Sequence, residues 1–558
     1  MINKTAVVSV LMVCILPVAL AQQSQKPAAK EKPAAPAAKP APEAKNPPPK
    51  PTEEPAPESK TAVETKAEPE GKEKEQETPR GVQPDLKDEP PVVTHHELRV
   101  GGKTLRYTAT AGRMPIKDEA GKISADMFYV AYTAEGVAAN QRPVTFAFNG
   151  GPGSASLWLH MGSLGPRRVV MQPEGWMPAA PYRLTDNAET IIDKTDLVMI
   201  DAIGTGFSRA RTEKLLKHYL GVDGDIEAFG EFMRMYITRN ERWNSPLYIL
   251  GESYGTTRAA GLAGYLVQRG ITFNGIILLS TAVDLGTLVN SHENDLPFVL
   301  ILPTYAMIAA YHHKLAPELA QDPNKLRSEV EQWAAGPYAA ALGKGDAISP
   351  EERAAVVEQM ARYTGLDKKL LDQADLRIDV PKFTHNLLLD QKLRVGRLDG
   401  RFTGPDPDGV LDTPFYDPSG AQPTPPFTSV FNGYVRGELN YKTDMPYYVR
   451  GGDDAFQKWD WGNAINGIPS TAMDLRRAMA INPFLKIEVM EGYYDLATPF
   501  YAADYTIDHL SLPANLRKNI SFTHYDSGHM VYLRQESRLQ FKKDVDDFIQ
   551  STMPAVAP

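Results

Sequence analysis

The chain reads as an α/β protein with a mostly parallel central sheet flanked by helices and interrupted by an inserted, largely helical cap. Six short apolar runs point to it: PVTFAFNGG, TDLVMIDAIGTG, SPLYILGES, GIILLSTAV, LKIEVMEGYYD and NISFTHYDSGH, each ending in polar or glycine residues. Several are rich in Val, Ile and Leu with little alternation, the pattern of strands covered on both faces. Helix-like stretches lie between some of them, and a block with a different pattern separates the fourth run from the fifth.

Taken in chain order, Met1 to Ala21 has a lysine near its start, an apolar core and Ala19-Leu20-Ala21 before polar residues, the layout of a cleavable export signal. The single cysteine, Cys14, would leave with it, so the mature chain would hold no disulfide. Residues 22–91 contain 16 of the 46 prolines and no Phe, Tyr or Trp, a composition that cannot bury enough apolar surface to fold, and we read them as a disordered spacer. Its first half is basic, which allows a weak contact with an anionic cell envelope. These features predict a periplasmic or secreted protein. No later apolar run reaches membrane-spanning length.

Beyond the spacer, residues 92–289 read as the first part of the core. HELRVGGKTLRYTATAGRMPI and ADMFYVAYTAEG are antiparallel strands joined by glycine-rich turns, and the first four core runs follow. Residues 290–462 read as the cap: NDLPFVLILPTYAMIAAYHHKL and SPEERAAVVEQMARYTG look helical, whereas a Pro/Gly/Asp-rich stretch from about Asp399 to Thr428 does not. Residues 463–555 return to the core with the last two runs. The full chain carries a formal charge of −9, with −8 of it beyond residue 91, which argues against nucleic acid as a partner. The sequence has no phosphate loop with its lysine and no HExxH, and neither His95-His96 nor His312-His313 has a second cluster at metal-site spacing. No cofactor or metal is therefore expected.

In such sheets ligands sit beyond the carboxyl ends of the strands, so the residues closing the six runs should converge on one crevice. Gly251-Glu252-Ser253-Tyr254-Gly255 follows PLYIL and opens TTRAAGLAGYLVQR. A serine on a sharp strand-to-helix turn, flanked by glycines that give it room, is the arrangement of a nucleophile elbow. Its base and acid should follow, each after its own strand. His529 and Asp495, 34 residues apart, close the last two runs and are preferred over the rival bases His509 and His524 and the rival acids Asp201 and Asp504. The oxyanion needs two amide donors. The N–H of Tyr254 is one, and the glycine-dense turn Phe148-Asn149-Gly150-Gly151-Pro152-Gly153 is the expected source of the other.

At these residues the chain resembles the serine carboxypeptidase family, the carboxypeptidase Y-like group of the α/β hydrolases. The matching signatures are Asn149-Gly-Gly-Pro-Gly153, Gly204-Thr-Gly-Phe-Ser208, Gly251-Glu-Ser-Tyr-Gly255, Gly492-Tyr-Tyr-Asp495 with Thr498-Pro499, and Gly528-His529, in the family's order. The resemblance implies an α/β-hydrolase fold, a Ser253, Asp495, His529 triad, and an oxyanion hole from the amides of Gly151 and Tyr254. It also implies a peptide substrate with a free C-terminus, whose carboxylate Asn149 and Glu252 would bind. Glu252 donates to a carboxylate only when protonated, which predicts a preference for acidic pH. Several positions depart from the family. Its second glutamate falls on Ser163, its tryptophan before the asparagine on Ala147, and a half-cystine on Ser154. The Asp-Gln-Pro that precedes the second signature in the family is here Asp201-Ala202-Ile203. The expectation is an exported peptidase that trims C-termini through an acyl-enzyme. Two alternatives stay open: an esterase or acyltransferase on the same triad, and a non-catalytic cell-envelope binding protein.

Overall fold

A strand covered on both faces must present apolar side chains in both directions, and the central strands do so residue by residue. In Leu247–Glu252, Leu247 and Ile249 point into one hydrophobic cluster while Tyr248 and Leu250 point into another. In Gly275–Leu279, Ile276 and Leu278 divide in the same way from Ile277 and Leu279. The structure is a computed structural model that describes residues 79–553 except 139–141, 292, 408, 410–415, 452–457 and 463–467. The expected export signal and most of the expected spacer lie outside the described residues.

The sheet strands are β1 (Val92–Val100), β2 (Lys103–Lys117), β3 (Ile123–Ala134), β4 (Val144–Phe148), β5 (Asp196–Ile200), β6 (Leu247–Glu252), β7 (Gly275–Leu279), β8 (Lys486–Gly492) and β9 (Ile520–Tyr525). In space they run β1-β2-β3-β5-β4-β6-β7-β8-β9, with a two-residue strand, Arg209–Ala210, also paired to β3. The leading three strands and the β3/β5 pair are antiparallel, and every pair from β5 to β9 is parallel. All six apolar runs are strands of this sheet. Helices α1 (Val222–Arg239) and α2 (Tyr254–Val267) contribute Phe229, Phe232, Ala259 and Leu262 to the cluster on one face. The sheet order, the helices on its faces and the serine at the β6–α2 turn make the fold an α/β hydrolase.

Within the stretch read as the cap, α3 (Leu296–Tyr311) and α4 (Pro350–Thr364) share a core of their own that includes Leu302, Tyr305, Val356 and Met360. Helix α5 (Thr424–Gly437) differs: Phe427, Phe431 and Tyr434 belong to the cluster on the second face of the sheet. The structure corrects two sequence expectations. The Pro/Gly/Asp-rich stretch to Thr428 is partly helical, because Asp417 caps the short helix Pro418–Ala421 and α5 carries its prolines in the first turn, where missing N–H groups cost nothing. The spacer does not extend to Pro91. Gln83 N donates to Ala210 O (2.8 Å), Leu86 is buried, and Asp88 pairs with Arg239 (2.8 Å). Val82, Leu86 and Asp88 are among the residues that dock this segment, and the proline-rich average around them conceals it.

Candidate active site

The chain reverses from β6 into α2 at Ser253, whose φ of +61° lies where L-residues rarely go, so the turn is held by its surroundings. Ser253 N donates to Leu279 O (2.9 Å), and Thr256 N and Oγ1 return to Ser253 O (2.8 and 2.7 Å). The flanking glycines are steric necessities. A Cβ on Gly251 would lie 2.2 Å from Gly255 O, and one on Gly150 would lie 2.4 Å from the amide nitrogen of Tyr254. The glycine loop after β4 is thereby pressed against the start of α2, and Gly151 sits at φ +108°. Among the described residues, the amides of Gly151 and Tyr254 donate to no protein acceptor.

Two devices hold that loop. Asn149 N donates to Ser156 Oγ (3.1 Å), while Ser156 N donates to Asp201 Oδ1 (2.7 Å). From beneath, Arg258, fully buried and paired with Asp225 (2.7 Å), donates to Asn149 O (2.8 Å). Asp201, one of the rival acids, thus belongs to this loop.

His529 Nδ1 lies 2.6 Å from Asp495 Oδ2. Asp495 is wholly buried and oriented by Ala497 N (2.7 Å), Thr498 N (3.1 Å) and Thr498 Oγ1 (2.6 Å). The histidine backbone is clamped as well: His529 N donates to Leu398 O (2.7 Å), Ser280 Oγ donates to His529 O (2.7 Å), and Gly528 N donates to Asp399 Oδ2 (3.1 Å). Burial would lower the His529 pKa, but the charge and hydrogen bond of Asp495 outweigh it and hold the imidazole above its ordinary value. The other rivals occupy each other or the backbone. His524 lies 3.4 Å from Asp504, and His509 Nδ1 lies 2.7 Å from Tyr505 O.

Ser253, His529, Gly151, Tyr254, Asn149 and Glu252 all line one cavity of about 540 Å³. Glu252 is buried, which raises its carboxyl to about 7, and Tyr532 Oη donates to its Oε2 (2.8 Å). The ring of Tyr532 occupies the space beside the turn that carries Ser163, since a Cβ on Gly162 would lie 2.5 Å from that ring. A phenol therefore stands against Glu252, while the family's second glutamate is here Ser163. The pH expectation shifts accordingly: Glu252 stays protonated up to about pH 7, so the upper limit set by carboxylate binding lies near neutrality instead of in the acid range. Because the Tyr532 hydrogen bond favours the ionised form, Tyr532→Phe should move the pH at which KM rises for a free-carboxyl peptide upward by about one unit. KM measured from pH 5 to 9 checks the sign.

Residues 102–320 match the serine carboxypeptidase family. The match spans three of the five signatures, through Gly255, and supports the family resemblance and a serine carboxypeptidase-like hydrolase. Asp495 and His529 lie beyond it, so their assignment rests on the geometry above. No curated protein matches the chain. Among solved structures it is similar to a proline iminopeptidase from Mycobacterium smegmatis (14% identity, 79% of this chain and 98% of that one, TM-score 0.34). It is also similar to a thermostable carboxyl esterase from Bacillus coagulans (12%, 79% and 98%, TM-score 0.33). At such identities and scores the likeness says nothing of the substrate. The elbow, the loop after β4, Asp495 and His529 were readable as motifs. Tyr532, Arg258 and the Leu398–Asp399 clamp carry no local signature, and only the proximity of Tyr532 to His529 in sequence hinted at one of them.

Proposed function

We propose that the protein is an exported serine carboxypeptidase that acts in the periplasm or outside the cell. The observation that carries this reading is a single cavity lined by a strained serine, a histidine bonded to a buried aspartate, two undonated amides and a buried carboxyl that is neutral near pH 7. His529 takes the Ser253 proton as the hydroxyl attacks the last peptide bond, and the amides of Gly151 and Tyr254 receive the oxyanion. His529 then protonates the departing amino acid and activates the water that frees the shortened peptide. Asn149 and protonated Glu252 hold the terminal carboxylate.

Kinetics on a blocked dipeptide with a free C-terminus and on its amidated twin test this. The free acid should be hydrolysed at least about a hundredfold faster in kcat/KM, the penalty for leaving a buried polar pair unmatched. Equal rates would favour the second reading, an esterase on the same triad, which the replacement of the family's glutamate by Ser163 supports. Failure of a fluorophosphonate to label the intact protein would favour a binding protein instead.

A further inference from the structure

Two arginines for which the proposed reaction has no role line the cavity. Arg397 and Arg450 both line it, and among the described residues neither side chain has a hydrogen-bond or ion-pair partner. That sets them apart from other arginines of the inserted stretch. Arg327 is paired with Glu331, Arg353 with Asp372, Arg377 with Asp295 and Arg401 with Asp399.

Both unpaired arginines stand on backbone that is fixed next to the reacting groups. Arg450 is bridged to Ser154, and Gly451 N donates to Gly153 O (2.9 Å), which places it alongside the loop that supplies Gly151. Arg397 immediately precedes Leu398, whose carbonyl accepts from His529 N (2.7 Å), and Leu496 N donates to Arg397 O (3.1 Å). The two cations thus approach the nucleophile from opposite partners, one with the oxyanion loop and one with the histidine.

Few negative charges answer them. Glu252 is neutral up to about pH 7, and the second glutamate implied by the family is Ser163. Asp417 also lines the cavity, but its Oδ1 already accepts from Arg397 N (3.1 Å), Ser419 N (2.9 Å) and Ser419 Oγ (2.6 Å). Among the described residues the concave site therefore sets two unpaired arginines against one carboxylate, and its low-dielectric walls concentrate that field on an anionic ligand. The terminal α-carboxylate has its own partners in Asn149 and Glu252, so a second anion fits the arginines.

We infer that Arg397 and Arg450 form a receptor for a side-chain carboxylate, making the enzyme selective for peptides with Glu or Asp as the last or next-to-last residue. The assignment rests on the carboxypeptidase reading for the orientation of the substrate. A planar guanidinium matches a carboxylate through two parallel hydrogen bonds, a geometry that an exposed arginine can adopt when the ligand arrives.

The test is a set of N-blocked peptides identical except for Glu or Gln at each of the two terminal positions, assayed at low and high salt. Wild-type enzyme should prefer Glu over Gln by about tenfold in kcat/KM at one of the two positions, with the preference shrinking as salt screens it. Arg397→Gln and Arg450→Gln should each bring that ratio toward one, and Arg450→Lys should retain part of it. Equal turnover of Glu and Gln peptides by wild type would overturn the inference. So would variants that slow both peptides by the same factor and leave the ratio intact. Protection of Ser253 from a fluorophosphonate by N-acetyl dipeptides ending in Glu or Gln gives the same ratio without any peptide being cleaved. Stronger protection by the Glu dipeptide would uphold the receptor even if the carboxypeptidase reading failed, and equal protection would refute it.

Discussion

Ser253→Ala should lower kcat by about a millionfold while leaving the protein folded. The magnitude follows from what the hydroxyl alone supplies: without Oγ no acyl-enzyme forms, and the amides of Gly151 and Tyr254 are left to stabilise an oxyanion that only free water can generate. The selectivity of the effect follows from the structure. Ser253 is held by its backbone, through Ser253 N to Leu279 O and through Thr256 to Ser253 O, and its Oγ has no partner among the described residues. Truncation to Ala therefore removes no structural hydrogen bond, and the melting temperature should stay within about 2 °C of wild type. Residual peptide hydrolysis near the wild-type rate would show that the nucleophile lies elsewhere. A large fall in melting temperature would show that the hydroxyl has a structural partner.

The parts of this site that could be read from sequence are those fixed by local sterics or local periodicity. β6 and β7 are legible because a strand between two helical layers has to be apolar on both faces. The elbow is legible because a Cβ on Gly251 would strike the backbone of Gly255, one on Gly255 would lie 2.9 Å from Phe148 O, and one on Gly150 would strike the backbone of Tyr254. The parts that could not be read depend on segments meeting across the fold. Asp399 reaches Gly528 across 129 residues, and Arg258 reaches Asn149 across 109, with nothing in either neighbourhood to announce the contact. Tyr532 was invisible for a different reason. Its position could be reached from His529, but its function depends on the space left beside Gly162 and on a glutamate 280 residues earlier. Resemblance marks Ser163 only as a departure, whereas the packing sets the Tyr532 ring beside Gly162 and its hydroxyl on Glu252. The docked segment after Gly81 was hidden by averaging, since Val82 and Leu86 are too few to alter the composition of a long proline-rich stretch.

Asp495→Asn should lower kcat by about ten-thousandfold with little change in KM, because the aspartate touches the base and not the substrate. With Nδ1 of His529 donating to Asp495 Oδ2, Nε2 is left unprotonated and able to take the Ser253 proton during attack. An asparagine keeps the acceptor for Ala497 N and Thr498 N at Oδ1 but places an NH2 group at Oδ2, where it faces Nδ1 and Thr498 Oγ1. The imidazole then has to turn its lone pair toward the amide and its proton toward the serine, the wrong tautomer for a base. The charge effect has a definite sign. Asp495 raises the His529 pKa against burial, so its neutralisation lets burial dominate and the pKa falls. The acid limb of the residual kcat/KM profile should therefore move to lower pH, a shift that loss of packing would not produce. Asp504→Asn is the matched control. That carboxylate lies 3.4 Å from His524 and lines no part of the cavity, so its activity should stay within about threefold of wild type. If the two variants exchanged these behaviours, Asp504 would be the acid of the triad, and the turn after β8 would serve the fold instead of the histidine.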